Sequence, residues 1–299
     1  GTGGTSKTAY AVVKDLGAKT ILKASINGEV NTITYEEAVN VHNDVEVIIN
    51  TTPVGMYPKN DGCIIELSKF KKLTGLIDVV YNPLRTNLVL DANSLNIPSE
   101  GGLYMLVGQA VYACGLFLDK DIDLSIIDTI FNKLKSDKEN VVLIGMPSSG
   151  KTTIGKILSE KLNKKLIDTD DLIVNKIGMS IKDYMTNHTE KEFRDVETEC
   201  VKEAAKMSNV VIATGGGAIL RSENVKALKQ NGKLYFLKRD LELLTPTDSR
   251  PFSSDLESLK KRYIERLPIY ESVCDRCIDN NGDILSAIEA IIGDKRWNY

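Results

Sequence analysis

Residues 145–152, GMPSSGKT, have the types and the spacing of a loop that binds phosphate. Glycines let the backbone curl so that consecutive N–H groups point at one anion, and the dipole of a following helix adds to the attraction. In this pattern Lys151 reaches the β- and γ-phosphates, and the Thr152 hydroxyl binds Mg²⁺. The other candidate nucleotide contacts are the remaining loop residues Ser148, Ser149, Gly150 and Thr153. The loop predicts a nucleoside triphosphate site, which is shared by kinases, GTPases and motors.

Two further groups of residues favour a kinase. The sequence has no N-K-x-D motif for reading guanine, and its IDTDD run places Asp168 and Asp170 two residues apart at the end of a strand-like segment. Paired carboxylates beside a phosphate loop suit a metal ligand and a base that binds a hydroxyl. The glycine triplet Gly215–Gly217 permits close approach of the backbone to a ligand, although a plain tight turn is the alternative.

Taken in order, GMPSSGKTT, IDTDD, EFRDVE, ATGGGAI, SRPF and ERLPIY resemble the motifs of shikimate kinases over about 139–285. The resemblance implies Mg²⁺-dependent transfer of the γ-phosphate of ATP to the 3-hydroxyl of shikimate. It implies a metal site at Thr152 and Asp168 and catalytic roles for Lys151 and Asp170. It also implies that Asp170, Arg194, Gly216 and Arg266 contact shikimate. Arg250 is implied to be a catalytic arginine of the lid that lies over the ATP phosphates. The chain departs from the family at Ser148, where glycine is usual, and in a short lid between Leu244 and Ser258.

The first half opens on GTGG, the pattern of a dinucleotide-binding turn. With INTTPVGMYP, DVVYNPLRT and GGLYMLVGQA, it resembles the nucleotide-binding domain of shikimate dehydrogenases over about 1–118. The resemblance implies that Gly1, Gly3, Gly4 and Thr5 meet the pyrophosphate, and that Thr51 and Gly102 lie near the nicotinamide. It also implies that Tyr81 and Gln109 face shikimate. The alternative for Tyr81 is an aromatic ring packed against its neighbours, and the alternative for Gln109 is an amide that bonds its own helix.

The segment ILKAS lacks the acidic residue that binds the ribose in NAD enzymes, and Lys23 is available for a 2′-phosphate, so NADP is preferred over NAD. The lysine and aspartate of the dehydrogenase family lie N-terminal to this fold, and the given sequence begins at Gly1. We therefore expect a truncated domain that oxidises no shikimate by itself. NADP-dependent reduction of 3-dehydroshikimate would belong to the full-length protein.

The elements that must position these residues alternate along the chain. Continuous apolar runs predict buried strands, and stretches of helical period between them predict helices. The predicted strands are 20–22, 45–50, 76–81, 141–145, 164–168, 209–216 and 233–238, and the predicted helices are 7–16, 101–117, 153–162 and 192–207. The helix over 101–117 is expected to be buried. This alternation of strands and helices predicts an α/β protein of two tandem domains. We expect a Rossmann-like domain over 1–132 and a P-loop kinase domain with a parallel sheet over 139–299. The charged segment 133–140 is interpreted as a linker or a helix end that runs into one.

Composition narrows the remaining classes. The 299 residues carry a net charge of −3, which gives no general attraction to nucleic acid or to an anionic membrane. We expect a cytoplasmic enzyme whose partners are the small molecules shikimate and ATP, and the oligomeric state is not predicted. Two alternatives stay open: a kinase of another small hydroxy acid such as gluconate, and an ATP-binding regulatory module without transfer chemistry.

Overall fold

The computed structural model describes residues 1–244 and 256–296. Its chain divides into two compact units, Gly1–Lys135 and Ser136–Tyr299. Both units are of the predicted α/β class with parallel strands. Among the helices of the described ranges, none combines the length and the apolar character needed to cross a membrane.

The C-terminal unit alternates strands and helices around one sheet. Its strands are β6 Asn140–Ile144, β7 Lys165–Asp168, β8 Val210–Ala213, β9 Gly232–Lys238 and β10 Arg276–Asp279. Its helices are α6 Lys151–Leu162, α7 Thr169–Ile177, α8 Ile181–Asn187, α9 Glu190–Lys206, α10 Ser222–Asn231, α11 Leu256–Val273 and α12 Ile284–Arg296. All strand pairs are parallel, in the order β10-β9-β6-β8-β7.

Apolar residues on both faces explain why these segments form central strands. All five residues of β6 are buried, and alternate ones face opposite sides. Val142 and Ile144 pack in one cluster with residues of α9, α10 and α11, whereas Val141 and Leu143 pack in another with residues of α6 and α12. The sheet therefore has a hydrophobic core on each side.

Strand order decides which loops meet. The carboxyl ends of β6, β8 and β7 are adjacent, with Leu143 opposite Ala213 and Ala213 opposite Asp168. The phosphate loop follows β6, the glycine triplet follows β8, and Asp170 follows β7. Three segments that are distant in sequence are thus brought to one edge of the sheet, where ligands of open α/β sheets bind.

The N-terminal unit contains two smaller parallel sheets. The strands β1 Ala24–Ser25 and β2 Ile33–Thr34 form one, and β3 Val47–Asn50, β4 Gly75–Asp78 and β5 Ser99–Glu100 form the other. Its helices are α1 Gly4–Asp15, α2 Tyr35–Asn40, α3 Asn87–Ser94, α4 Leu103–Leu118 and most of α5 Ile126–Lys138, whose last three residues belong to the C-terminal unit.

Two expectations for this unit need correction. The strand predicted over 20–22 is wrong, because ladder bonds begin only at Lys23, whose carbonyl accepts from Ile33 N at 2.8 Å. Helix α4 is buried along one stripe only, around Val107 and Val111, and its last turns are exposed, with Phe117 at 88%. Of the two interpretations of the segment 133–140, the structure has the helix end, because residues 133–138 are the last residues of α5. Within the C-terminal unit, Lys164 Nζ donates to the carbonyls of Ser136, Asp137 and Glu139 at 3.2–3.4 Å and so caps the end of this helix.

Candidate active site

The phosphate loop has the backbone geometry that its glycines predict. Gly150 is the N-cap residue of α6 with a φ of 85°, and Ser148 has a φ of 63°. That left-handed conformation costs a non-glycine residue about 1 kcal/mol, which explains why glycine is usual at the position of Ser148. The loop therefore keeps its shape in spite of the substitution.

Lys151 lies across its own loop. The side chain is buried, and its Nζ donates to the carbonyl oxygens of Gly145 at 2.9 Å and Met146 at 2.8 Å. Hydrogen bonds to neutral carbonyls stabilise the ammonium without cancelling its charge. The ammonium group is thus held inside the loop by two of the loop's own carbonyl oxygens.

Asp168 and Thr152 form an oxygen pair beside the loop. Thr152 Oγ1 donates to Asp168 Oδ2 at 2.7 Å, and Asp168 Oδ1 accepts from Asp170 N at 3.0 Å as the N-cap of α7. The second bond fixes the orientation of the carboxylate and places Asp170 in the first turn of the helix. One carboxylate oxygen therefore faces the hydroxyl that the sequence assigns to magnesium.

Asp170, Glu197 and Gly215 meet next to this pair. A Cβ added to Gly215 would lie 2.8 Å from Asp170 Oδ1 and 3.1 Å from Glu197 Oε1. Gly215 N also donates to Thr169 Oγ1 at 2.9 Å, which ties the triplet to α7. Glycine is required at position 215 because two carboxylates occupy the space of a side chain.

The two arginines of the predicted acceptor site flank the same triplet. Arg266 is buried and donates from Nη1 to the carbonyl of Gly216 at 3.0 Å. The guanidinium of Arg194 occupies the space that a side chain at Gly217 would need. The structure therefore brings Arg194, Gly216 and Arg266 together, close to Asp170.

Arg194 is ion-paired within its own helix. Its Nη1 donates to Glu197 Oε2 at 2.7 Å, and its Nη2 donates to Glu190 Oε1 at 3.1 Å. Burial by itself would lower the pKa of Arg194, but the negative charges of Glu197 and Glu190 outweigh it and raise the pKa. Burial raises the pKa of Glu197, Arg194 opposes that shift, and the charge of Asp170 adds to it. Glu197 is thus the group that holds Arg194 in place.

A third arginine lies one turn from Arg266 on α11. Burial lowers the pKa of Arg262, and the positive charges of Arg266 and Arg194 lower it further. Like charges that perturb one another in this way lie close together. Three arginines, Arg194, Arg262 and Arg266, therefore lie on this side of the site, together with the carboxylates of Glu190 and Glu197.

Comparison with known proteins agrees with this geometry. The family model described as "Shikimate kinase" matches residues 147–293. The shikimate kinase of Caldicellulosiruptor bescii is 43% identical over 164 residues, which are 52% of this chain and 94% of that protein. The chain belongs to the shikimate kinase family.

Two solved structures are also similar to parts of the chain. Shikimate kinase from Acinetobacter baumannii in complex with shikimate is 30% identical, with a TM-score of 0.51, over 55% of this chain and 98% of that chain. Shikimate dehydrogenase 1 from Peptoclostridium difficile is 37% identical, with a TM-score of 0.41, over 45% of this chain and 51% of that chain.

For the shikimate kinase part, sequence reasoning missed three functional candidates: Glu197, Arg262 and Tyr270. Glu197 follows Arg194 by three residues on α9, and Arg262 precedes Arg266 by four residues on α11, so helical spacing alone placed each beside a predicted arginine. Tyr270 lies in ERLPIY and follows Arg266 by four residues on α11, so the same spacing places it beside a predicted arginine. Its bonds to two backbone carbonyls carry no sequence signal. The predicted lid arginine Arg250 lies outside the described residues.

In the N-terminal unit the predicted pyrophosphate residues lie around the start of α1. Gly3 is the N-cap residue, and a Cβ added to Gly3 or Gly4 would meet nothing within 4 Å. Thr5 is exposed, and the Gly1 amino group donates to the Ala24 carbonyl at 3.0 Å. Open glycine backbone at a helix N-terminus is suited to a phosphate group.

The remaining candidates of this unit lie at two other places. Gly102, just before α4, packs so closely on the Val79 carbonyl that no side chain fits there. Tyr81 and Gln109 are both exposed, which places them on the surface of the unit rather than in its core. Lys23 Nζ lies 4.4 Å from the ring centroid of Tyr10, in a cation–π contact.

A buried polar network lies at the carboxyl ends of β3 and β4, around their last residues Asn50 and Asp78. Asp78 is fully buried and accepts from Asn50 Nδ2 at 2.9 Å, Thr86 Oγ1 at 2.6 Å and Val80 N at 3.0 Å. Burial raises the pKa of Asp78, and these hydrogen bonds oppose the shift. The network joins INTTPVGMYP to DVVYNPLRT, two of the motifs on which the dehydrogenase resemblance rests. Asn50, Asp78 and Thr86 therefore have a structural role in these motifs.

Proposed function

We propose that residues 139–299 transfer the γ-phosphate of ATP to the 3-hydroxyl of shikimate. The observation that carries the proposal is the convergence of the phosphate loop, Asp168, Asp170 and the arginine-lined glycine triplet at the carboxyl ends of three adjacent strands. A donor site and an acceptor site are thereby next to each other, with a carboxylate between them.

The chemistry follows from these positions. The 3-hydroxyl oxygen forms a bond to the γ-phosphorus while the bond from that phosphorus to the β–γ bridging oxygen breaks, and ADP leaves with the electron pair. Asp170 accepts the hydroxyl proton, and Lys151 neutralises charge that grows on the phosphoryl oxygens. In this type of reaction, positioning of the reactants and stabilisation of charge supply most of the rate enhancement.

The residues present fit a magnesium ion. Mg²⁺ is commonly bound through one or two protein oxygens together with substrate phosphates. Thr152 Oγ1 and Asp168 Oδ2, 2.7 Å apart beside the phosphate loop, supply such a pair. Within the described residues no cluster of three or more His, Cys, Asp or Glu side chains provides a metal site made of protein alone. Thr152 and Asp168 would hold the ion, which would neutralise phosphate charge when bound.

The acceptor specificity rests on the arginines. A guanidinium binds a carboxylate through two parallel N–H bonds. Arg266 is the better placed of the two predicted arginines, because one Nη donates to the Gly216 carbonyl and thereby holds the side chain in place. Arg194 shares its charge with Glu197 and Glu190, so it contributes less net attraction for a second carboxylate.

We also propose that residues 1–132 form a dinucleotide-binding domain of the shikimate dehydrogenase type that prefers NADP. Support comes from the four ordered sequence motifs, the open glycines at the start of α1 and, for NADP, the lack of an acidic residue in ILKAS. Calorimetric titration with NADP⁺ and with NAD⁺ tests this, and tighter binding of NAD⁺ would contradict it.

The kinase proposal is tested by measuring ADP release with shikimate and with gluconate as acceptors. Turnover on shikimate is expected, with the reaction much slower on gluconate. Asp170→Asn keeps the shape of the side chain and removes the base, so turnover should fall by about 10²-fold or more while ATP affinity stays unchanged. Gluconate as the better acceptor would favour the other hydroxy-acid kinase, and ATP binding without turnover on either acid would favour a regulatory module.

A further inference from the structure

Tyr270 lies beneath the site, between its two ligand-binding loops. The side chain is fully buried in α11, and its ring stacks on Phe236 of β9 with centroids 4.9 Å apart and an interplanar angle of 9°. Burial raises the pKa of Tyr270, so its hydroxyl stays protonated and is a donor throughout the physiological range.

The hydroxyl group has partners in both loops. Tyr270 Oη lies 2.9 Å from the carbonyl oxygen of Gly145 and 2.5 Å from that of Gly216. Gly145 begins the phosphate loop after β6, and Gly216 is the middle residue of the triplet after β8. A single side chain therefore contacts the loop predicted to bind ATP and the loop predicted to bind shikimate.

Each of these carbonyls also accepts from a cation of the site. Lys151 Nζ donates to Gly145 O at 2.9 Å, and Arg266 Nη1 donates to Gly216 O at 3.0 Å. A phenol has one proton and a carbonyl oxygen only accepts, so Tyr270 either shares its proton between the two or alternates between them. The result is a continuous chain from Lys151 through both carbonyls and the tyrosine to Arg266.

We propose that Tyr270 is a positioning residue that fixes the separation of the phosphate loop and the glycine triplet, and so the distance between the transferred phosphoryl group and its acceptor hydroxyl. The inference rests on the proposed kinase function. Ring packing does not need the hydroxyl, because Phe236 fills the adjacent layer without one. A buried hydroxyl is unfavourable unless it is bonded, and this one contacts two loops of the site and the side chain of Arg266.

Tyr270→Phe tests the proposal, and Tyr235→Phe is its matched control. Tyr235 is also fully buried, in β9, and donates from its hydroxyl to Asp294 Oδ2 at 2.9 Å, away from both loops. Each substitution removes one hydroxyl of a buried tyrosine together with the hydrogen bonds of that hydroxyl. Thermal midpoints of both variants verify that the chain is folded at the assay temperature.

In Tyr270→Phe we expect kcat to fall about tenfold or more, because a misplacement of about 1 Å costs on the order of 10²-fold, while both KM values change less than about threefold. In Tyr235→Phe kcat should stay within about twofold of the wild type. A second measurement needs no turnover: the shikimate Kd determined by calorimetry with and without a non-hydrolysable ATP analogue. The ratio of these two Kd values should change in Tyr270→Phe and not in Tyr235→Phe.

The outcomes separate this inference from the function on which it rests. If the wild type turns over shikimate and Tyr270→Phe matches Tyr235→Phe in kcat and in the Kd ratio, Tyr270 is structural and the inference is wrong. If the wild type shows no turnover with shikimate, the proposed function fails and the inference fails with it.

Discussion

Substitution of Gly215 by alanine perturbs the acceptor site at one atom. The new Cβ would lie 2.8 Å from Asp170 Oδ1, against an ordinary contact distance of at least 3.4 Å, and 3.1 Å from Glu197 Oε1. Glu197 is held by Arg194 at 2.7 Å, so it cannot move away without breaking a buried ion pair. The strain therefore falls on Asp170, the partly exposed partner, which must shift by roughly 0.6 Å.

A displacement of this size has a calculable effect on rate. Since a misplacement of about 1 Å costs on the order of 10²-fold, a shift of roughly 0.6 Å should lower kcat/KM for shikimate by about 10- to 100-fold. Overpacking a tight site costs about 1–3 kcal/mol of stability, so the protein should remain folded. ATP affinity should not change, because the phosphate loop lies on a different strand.

The assay is steady-state ADP release with shikimate varied at saturating ATP, together with calorimetric titration of ATP. Gly293→Ala is the control, since a Cβ there meets nothing within 4 Å and alanine is favoured in a helix. If Gly215→Ala keeps kcat/KM within about threefold of the wild type, Asp170 does not sit against the reacting hydroxyl. A loss of ATP affinity would instead show that the triplet supports the nucleotide site.

Two further results are expected. Lys151→Met should lower kcat by about 10²-fold or more, since a cation aimed at transition-state charge supplies roughly 3 kcal/mol; activity within threefold would contradict the assignment of the loop. Asp294→Asn should destabilise the C-terminal unit at pH 7 and much less at acid pH. Burial alone would raise the pKa of Asp294, but hydrogen bonds from Lys233 and Tyr235 outweigh it and lower the pKa. Its contribution is therefore present above the unfolded-state pKa and lost as the pH falls through the folded one, so urea unfolding of both proteins between pH 2 and 7 should converge at low pH.

Much of the C-terminal fold follows from the sequence, for a physical reason. The runs at 141–145 and 233–238 are apolar without alternation, and only a strand covered on both faces buries every residue of such a run. Strands β6 and β9 form there, and α6 and α9 match the predicted helices to within a few residues. Motifs placed directly after such strands have to meet at one edge of a parallel sheet.

The N-terminal unit was less predictable because its signals are shorter. Strand β1 has two residues, and whether it pairs depends on β2 rather than on its own composition. Helix α4 is nearly uncharged, which indicates burial on all sides, yet only a stripe of it contacts other residues of its unit. Apolar composition thus predicted the helix but not the extent of its contacts.

Some residues of the candidate site are predicted by side-chain patterns in the sequence, and the role of others depends on the fold. Lys151, Asp168 and the arginines are recognisable because the role predicted for each belongs to its own side chain. Tyr270 and Gly215 act through backbone: one bonds two carbonyls, and the other leaves room for two carboxylates. The sequence singles out the glycine triplet and includes Tyr270 in ERLPIY. It does not show that the tyrosine hydroxyl reaches two carbonyls or that two carboxylates lie against Gly215, because both depend on the strand order that brings the loops together. We propose that Tyr270 and Gly215 set the distance between the transferred phosphoryl group and the acceptor hydroxyl. That distance determines whether Lys151 and Asp170 can assist the transfer.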